Sequence, residues 1–291
     1  MNSALISTPS PSATLPSRRF FHSSLLVLAL LAAGCATPPE PAPEPAPEPE
    51  PEPVAAPAPP PPPRLLFAGF AMHSQSKAFR NDVLAAEKLV TQIDPNALLV
   101  KLANPAAGQS ADWPQATVEN FELVMNKIAE VARPQDKMLL LISTHANPGT
   151  LNIQAAGKNL KPLTAQTLSA AMAPVQHIPA IVVLSACYSG SFLKPLQAPN
   201  RVVITATDVN RTSFKCQYTG DYTFFGDALF NQEQATELSV TDWMAAARKS
   251  IEAQEKRRRL PASKPQIHVG EEAKAWAERP LKDWMQVSAP Q

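Results

Sequence analysis

Residues 138–145, Met-Leu-Leu-Leu-Ile-Ser-Thr-His, decide how this chain folds. Met138–Ile142 is a continuous apolar run without polar alternation. It is short enough to be a strand, and a strand that shows no alternation is buried on both faces, as in a parallel sheet covered by helices. Working outward, Ile181–Leu184 and Val202–Thr205 repeat the pattern downstream, and Leu65–Phe70 and Leu98–Leu102 repeat it upstream. Gln266–Val269 is a last strand candidate. Helix-like segments alternate with these strands. Phe79–Ile93 carries Val83, Leu84, Leu89 and Val90 at roughly helical spacing. Thr117 can cap a helix that places Val118, Phe121, Met125, Ile128 and Val131 along one face. Thr164–Ala173, Phe225–Phe230 and Thr241–Gln254 read as further helices. The alternation predicts an α/β fold of three layers, a mostly parallel central sheet with helices on both faces. No internal repeat is visible, and one domain over residues 64–291 accounts for the pattern.

In open α/β sheets, sites form at the carboxyl ends of the strands. Two strands run into reactive residues there: Met138–Ile142 leads to Ser143-Thr144-His145-Ala146-Asn147-Pro148-Gly149, and Ile181–Leu184 leads to Ser185-Ala186-Cys187-Tyr188-Ser189-Gly190-Ser191. Parallel neighbours would lie ~4.8 Å apart and bring an imidazole and a thiol to the same bound carbonyl. A thiolate is the nucleophile, and a nearby imidazole both favours it and can protonate a leaving amine. The small residues after Cys187 leave backbone N–H groups free to face a developing oxyanion. Against this stands the plain reading that a cysteine after an apolar strand is a small buried hydrophobe and a lone histidine is structural. The joint occurrence of both residues at strand ends of one α/β unit favours chemistry.

The amino-terminal fifth is different in kind. Arg18 and Arg19 precede the apolar run Leu25–Leu31, and Ala32-Ala33-Gly34 stands before Cys35, so residues 1–34 read as a signal peptide. The apolar run is far below the ~20 residues needed to span a bilayer. A cysteine at the cleavage point resembles the lipobox of bacterial lipoproteins, with Ala32 where leucine is usual; the other reading is an ordinary signal peptide with a chance cysteine. Ser17-Arg18-Arg19-Phe20-Phe21 is compatible with twin-arginine export or with a plain basic leader. Ala36, rather than an inner-membrane-retaining Asp, points to the outer membrane, facing the periplasm. Residues 36–63 hold 15 of the 32 prolines and no Lys or Arg. Proline fixes φ and removes donors, so this stretch is an extended polyproline-II-like spacer, ~85 Å at full stretch from roughly 3.1 Å per residue. With a net charge of +1 there is no basic field for nucleic acid. Only nine glycines are present and no Gly-rich phosphate loop is found; nor is there a zinc-like cluster, so neither a cofactor nor a metal is expected.

Three stretches resemble the legumain-type cysteine peptidases of the caspase-like group, in particular their bacterial branch. Ser143-Thr144-His145 is similar to the family's strand-end histidine motif, and Leu184–Phe192 to its nucleophile motif. Arg211-Thr212-Ser213-Phe214-Lys215-Cys216 with Phe224–Phe230 resembles a block that helps line the specificity pocket. The resemblance runs from about Leu65 to Phe230. The 42-residue separation of His145 and Cys187 suits the caspase-like pattern. The resemblance implies a caspase-like fold and a peptide or protein substrate, cut after one preferred residue, asparagine or aspartate in the best-known relatives. It assigns Cys187 as nucleophile and His145 as base, with the amides of Ala146 and Cys187 at the oxyanion. Arg80, Ser185, Ser213 and Asp227 fall at substrate-binding positions. An arginine and an aspartate facing each other would suit a side-chain amide.

Two departures matter. Ser185 falls where eukaryotic relatives have an acid, and Ala146 stands where the family has glycine, so that a methyl group could crowd or strain the site. For Arg80 the competing reading is a solvated helix charge, and for Asp227 a helix N-terminal acid. The functional alternatives are an active endopeptidase of the envelope tethered through Cys35, a transpeptidase, and a non-catalytic scaffold. Cys216 could pair with Cys187 in an oxidising compartment or be a buried thiol. His73 follows the first strand and could approach the site; His177 and His268 read as structural. Lys256–Arg259 closes a helix, and Trp276 and Trp284 lie in a tail that could cap the domain or meet a partner.

Overall fold

The computed structural model describes residues 61–214 and 220–285. The leader, Cys35, the spacer up to residue 60 and Cys216 lie outside the described residues. The elements all belong to one compact unit, Ala58–Gln291.

The chain enters the sheet at β1 (Leu65–Ala71), whose seven residues are all buried. Helix α1 (Lys77–Ile93) follows, started by Ser76, whose Oγ accepts the N–H of Ala78. Next come β2 (Leu98–Ala103), α2 (Val118–Val131) and β3 (Lys137–Ser143). Thr117 caps α2 through the N–H of Asn120, as its position predicts. After β3 the chain forms short strands that the sequence did not announce: β4 (Ala146–Asn147), β5 (Thr150–Leu151), β6 (Gln154–Ala155), β7 (Lys158–Asn159) and β8 (Leu163–Thr164). Thr164, read as helical, is instead the cap of α3 (Ala165–Ala171). Strands β9 (Ala180–Ser185) and β10 (Arg201–Thr205), helices α4 (Phe224–Phe230) and α5 (Val240–Arg258), strand β11 (Gln266–Val269) and a short α6 (Lys274–Ala277) complete the order. Helix α5 outruns its expected Gln254 end because Lys256, Arg257 and Arg258 fill its last turn, where cations suit the dipole.

The main sheet runs β11-β10-β9-β3-β1-β2. All of its pairings are parallel except β10 with β11. The expected α/β layering is therefore present, with an antiparallel strand at one edge. Alternate strand side chains go to opposite faces. Phe67, Leu139, Leu141, Ile181 and Val183 pack with residues of α1, α4 and α5, whereas Phe70, Leu140, Ile142, Val182 and Leu184 pack with residues of α2 and α3. Burying each such side chain contributes roughly 1.5–3 kcal/mol. Leu84 departs from its expected role: it is exposed, while Val83, Leu89 and Val90 carry the buried stripe of α1.

The amino ends of β1 and β3 are latched by Asp136. Its carboxylate accepts the Arg64 N–H at 2.8 Å, the Arg64 guanidinium at 3.0 Å and the Arg133 N–H at 3.0 Å. Burial opposes its ionisation, yet the Arg133 and Arg64 bonds hold its carboxyl below the usual range. The carboxy-terminal tail caps the domain: Trp284 is buried and stacks on Trp276 with centroids 5.4 Å apart.

Candidate active site

The register of the central strands sets the heights of His73, His145 and Cys187. Ala71, Ser143 and Ser185 are aligned partners at the carboxyl ends of β1, β3 and β9. Two residues beyond each stands His73, His145 and Cys187, respectively. The imidazole and thiol positions are thus carried by adjacent parallel strands, at the same height. Two further bonds tie the loops that follow: the Thr144 N–H donates to Ser185 O at 3.1 Å, and the Gly149 N–H donates to Ser191 Oγ at 2.9 Å.

His145 is half-buried. Its ring meets that of Phe79 edge-on at 4.9 Å and that of His73 at 4.6 Å with an interplanar angle of 86°. Burial lowers its pKa below 6.5, which favours the neutral imidazole that can accept a proton. His73 is driven further down, to about 4, by burial and then by the neighbouring His145. Its Nδ1 accepts the Gln75 N–H at 3.3 Å, so that atom carries no proton.

Cys187 is partly exposed. Its sulfur lies against the backbone of Ser213, accepting the Ser213 N–H at 3.3 Å and facing Ser213 O at 3.6 Å. Tyr188, next in the chain, adopts the left-handed conformation at φ 52°, which costs a non-glycine residue about 1–2 kcal/mol. Its N–H donates to Arg211 O at 2.7 Å, and its O accepts Ser191 Oγ–H at 2.6 Å. Gly190 fits only because it lacks a side chain: a Cβ there would stand 2.5 Å from the Val209 nitrogen.

Ala146 raised the question of strain, and its backbone answers it. It is not among the residues with positive φ, and its methyl packs in the core. In the β4–β5 hairpin the Asn152 N–H bonds His145 O at 2.8 Å, and Ala146 pairs with Leu151. The alternation of an antiparallel ladder therefore directs the Ala146 N–H away from β5. The donor survives without glycine.

Two of the residues expected at substrate-binding positions already have side-chain partners. Arg80 makes a two-pronged bond to Asp112, at 2.8 and 2.5 Å, and lies 4.3 Å from the Trp113 ring centroid. Asp227 accepts the side-chain amide of Asn231 at 3.0 Å. Arg80 and Asp227 are each engaged by a near neighbour rather than held ready for a shared ligand. Arg80 does border a cleft of ≈ 400 Å³ at the carboxyl ends of β1 and β2, together with His73, Lys77, Asn104 and Asp112. Ser213 lies beside the Cys187 sulfur, as described. Ser185 must be corrected: it is 2% exposed, and its hydroxyl is spent inward on Asp82 and Thr223, at 3.0 Å each, so it does not face a substrate. His177 is exposed, and His268 lies on β11, away from the strand ends.

Asp82 is the residue that sequence reasoning missed. It is fully buried on α1 and accepts hydrogen bonds from Ser143 Oγ (2.8 Å), Ser185 Oγ (3.0 Å), Thr223 Oγ1 (2.8 Å) and the Thr223 N–H (3.1 Å). Burial raises its pKa to about 6, against the opposing pull of those bonds. Among the described residues, no group of three or more His, Cys, Asp or Glu side chains is placed to hold a metal ion, and no helix is long and apolar enough to cross a membrane.

A sequence profile described as the peptidase C13 family matches residues 115–271, more than half of the chain. The match takes in His145, Cys187, Ser213 and Asp227 and begins after Arg80 and Asp82. No curated protein matches significantly. Among solved structures, the crystal structure of caspase-1 from Spodoptera frugiperda is similar at 14% identity and a TM-score of 0.49, covering 70% of this chain and 85% of that one.

Proposed function

The chain belongs to the peptidase C13 family, and from that premise we propose that it is an endopeptidase in which Cys187 is the nucleophile and His145 its base. A cysteine-peptidase type of function follows from the family; the dyad, the substrate and the location are the proposal. The observation that carries it is the Ser143–Ser185 register, which sets a half-buried imidazole and a partly exposed thiol just beyond the ends of adjoining strands.

The reaction balances with these groups alone. His145 takes the thiol proton, and the thiolate attacks the scissile carbonyl carbon, forming a C–S bond as the carbonyl pair moves to oxygen. The amides of Ala146 and Cys187 are the donors for that oxyanion. Collapse breaks the C–N bond, and the proton on His145 passes to the departing amine. Water, deprotonated by His145, then attacks the thioester, and the C–S bond breaks to restore the thiolate. An amine in place of water would make the same site a transpeptidase.

The protein works in the cell envelope, anchored through a lipid on Cys35 at the outer membrane; the leader, Cys35 and Ala36 support this reading. Specificity for asparagine or aspartate rests on the family likeness around Arg80, Ser213 and Asp227. The long Pro-rich stretch of residues 36–63 favours a non-catalytic tethered scaffold as the second reading. The test is incubation of the purified full chain with a peptide library, with cleaved bonds read by mass spectrometry. Cleavage lost in Cys187→Ala and His145→Ala is the expected result. No cleavage by the native chain, or cleavage that survives Cys187→Ala, would sink the proposal.

A further inference from the structure

We propose that Asp82 is a positioning residue, whose carboxylate fixes the spacing of His145 and Cys187 by tying the ends of their two strands to a single group; this rests on the dyad proposed above. Three elements converge on it. Ser143 closes β3 two residues before His145, Ser185 closes β9 two residues before Cys187, and Thr223 begins α4. One oxygen, Oδ2, accepts all three hydroxyls at 2.8–3.0 Å, while Oδ1 accepts the Thr223 amide at 3.1 Å. Both serines are buried, so their hydroxyls face the carboxylate rather than solvent.

The groups facing Asp82 from β3, β9 and α4 are hydroxyls and an amide, with no cation among its bonded partners in the described residues. A buried charge held only by neutral donors is a poor way to stabilise a core, since an apolar residue of similar shape packs there without the desolvation penalty. What a carboxylate does that leucine cannot is accept several donors at one point. Helix α4 closes on it tightly: a Cβ on Gly226 would lie 2.0 Å from Asp82 Oδ1. The carboxylate therefore sets two strand ends and a helix start relative to one another. A misplacement of about 1 Å in reacting groups costs on the order of 100-fold in rate.

The experiment uses the full chain and iodoacetamide, following alkylation of Cys187 by peptide mapping so that Cys35 and Cys216 are read separately. Rates are compared for the native protein, Asp82→Asn, His145→Ala and the double variant, each checked by its thermal unfolding midpoint. The expected result is that Asp82→Asn slows Cys187 alkylation at least about tenfold. In the His145→Ala background it should add no further slowing, because its effect passes through the dyad; a merely structural role would give multiplicative effects. Should Asp82→Asn fail to fold, Ser185→Ala and Ser143→Ala enter the same cycle, each removing one bond and slowing alkylation severalfold. Slow alkylation in His145→Ala with native rates in the Asp82 and serine variants overturns this inference and leaves the dyad standing. Native rates in His145→Ala overturn the dyad and the inference with it.

Discussion

Replacing Asp82 by asparagine should change how stability depends on pH, with a sign opposite to that of an ordinary paired carboxylate. In the unfolded chain this carboxyl ionises near 3.8; in the native protein it holds its proton to about 6, because burial outweighs the hydrogen bonds from Ser143, Thr223 and Ser185. Between those values the native state keeps a proton that the unfolded chain has released. The favourable contribution of the protonated group is therefore complete below 3.8, is lost as pH rises through 6, and stays lost above it. The gap between the two values corresponds to roughly 3 kcal/mol. Asparagine has no such titration, although its NH2 donors oppose hydroxyl donors and add a constant offset. Urea unfolding of both proteins at pH 4, 5, 6 and 7 isolates the effect, since every other titrating group cancels in the difference. The variant should gain about 2.4 kcal/mol relative to the native protein between pH 4 and pH 7, because the full gap is reached only well below pH 3.8. A difference that is flat with pH, or one that runs the other way, would refute the buried-carboxylate reasoning.

Gly226→Ala should act on the same cluster by pushing a methyl into the Asp82 carboxylate; a loss of about 1–3 kcal/mol in urea unfolding, with slower Cys187 alkylation, is expected. Asp136→Asn breaks the buried latch on Arg64 and Arg133 and should lower unfolding free energy by about 3 kcal/mol at pH 7, whereas a loss below 1 kcal/mol would deny the latch any role. Imidazole titration by NMR should give His73 near 4 and His145 below 6.5. In His145→Gln the His73 value should rise but stay under 6.5, because burial, its larger cause, remains.

The sheet was legible because β1, β3, β9 and β10 are apolar runs that only a doubly covered strand explains, and the neighbouring placement of His145 and Cys187 was legible because each follows such a run. The short strands β4–β8 escaped notice, since two-residue pairings carry no periodicity of their own. Ser185 was misread because a resemblance compares positions and does not say which way a side chain turns. Asp82 left a trace. It is three residues after Phe79, four before Ala86 and seven before Leu89, all buried, so a charged residue sits on the apolar stripe of α1. A polar residue on such a stripe is the informative kind of exception. The engagement of Arg80 by Asp112 and Trp113 has no comparable signature, since those partners come from a loop more than thirty residues away.

The bonds that gather at Asp82 join residues 61, 103 and 141 positions apart, and β1 must wait for β3 before it gains its second neighbour. Contacts of such long reach form slowly, and only once most of the chain is available. No shorter stretch of this protein contains its reactive centre. A nascent molecule would carry the thiol and the imidazole as strangers until the strands and helices around them have closed.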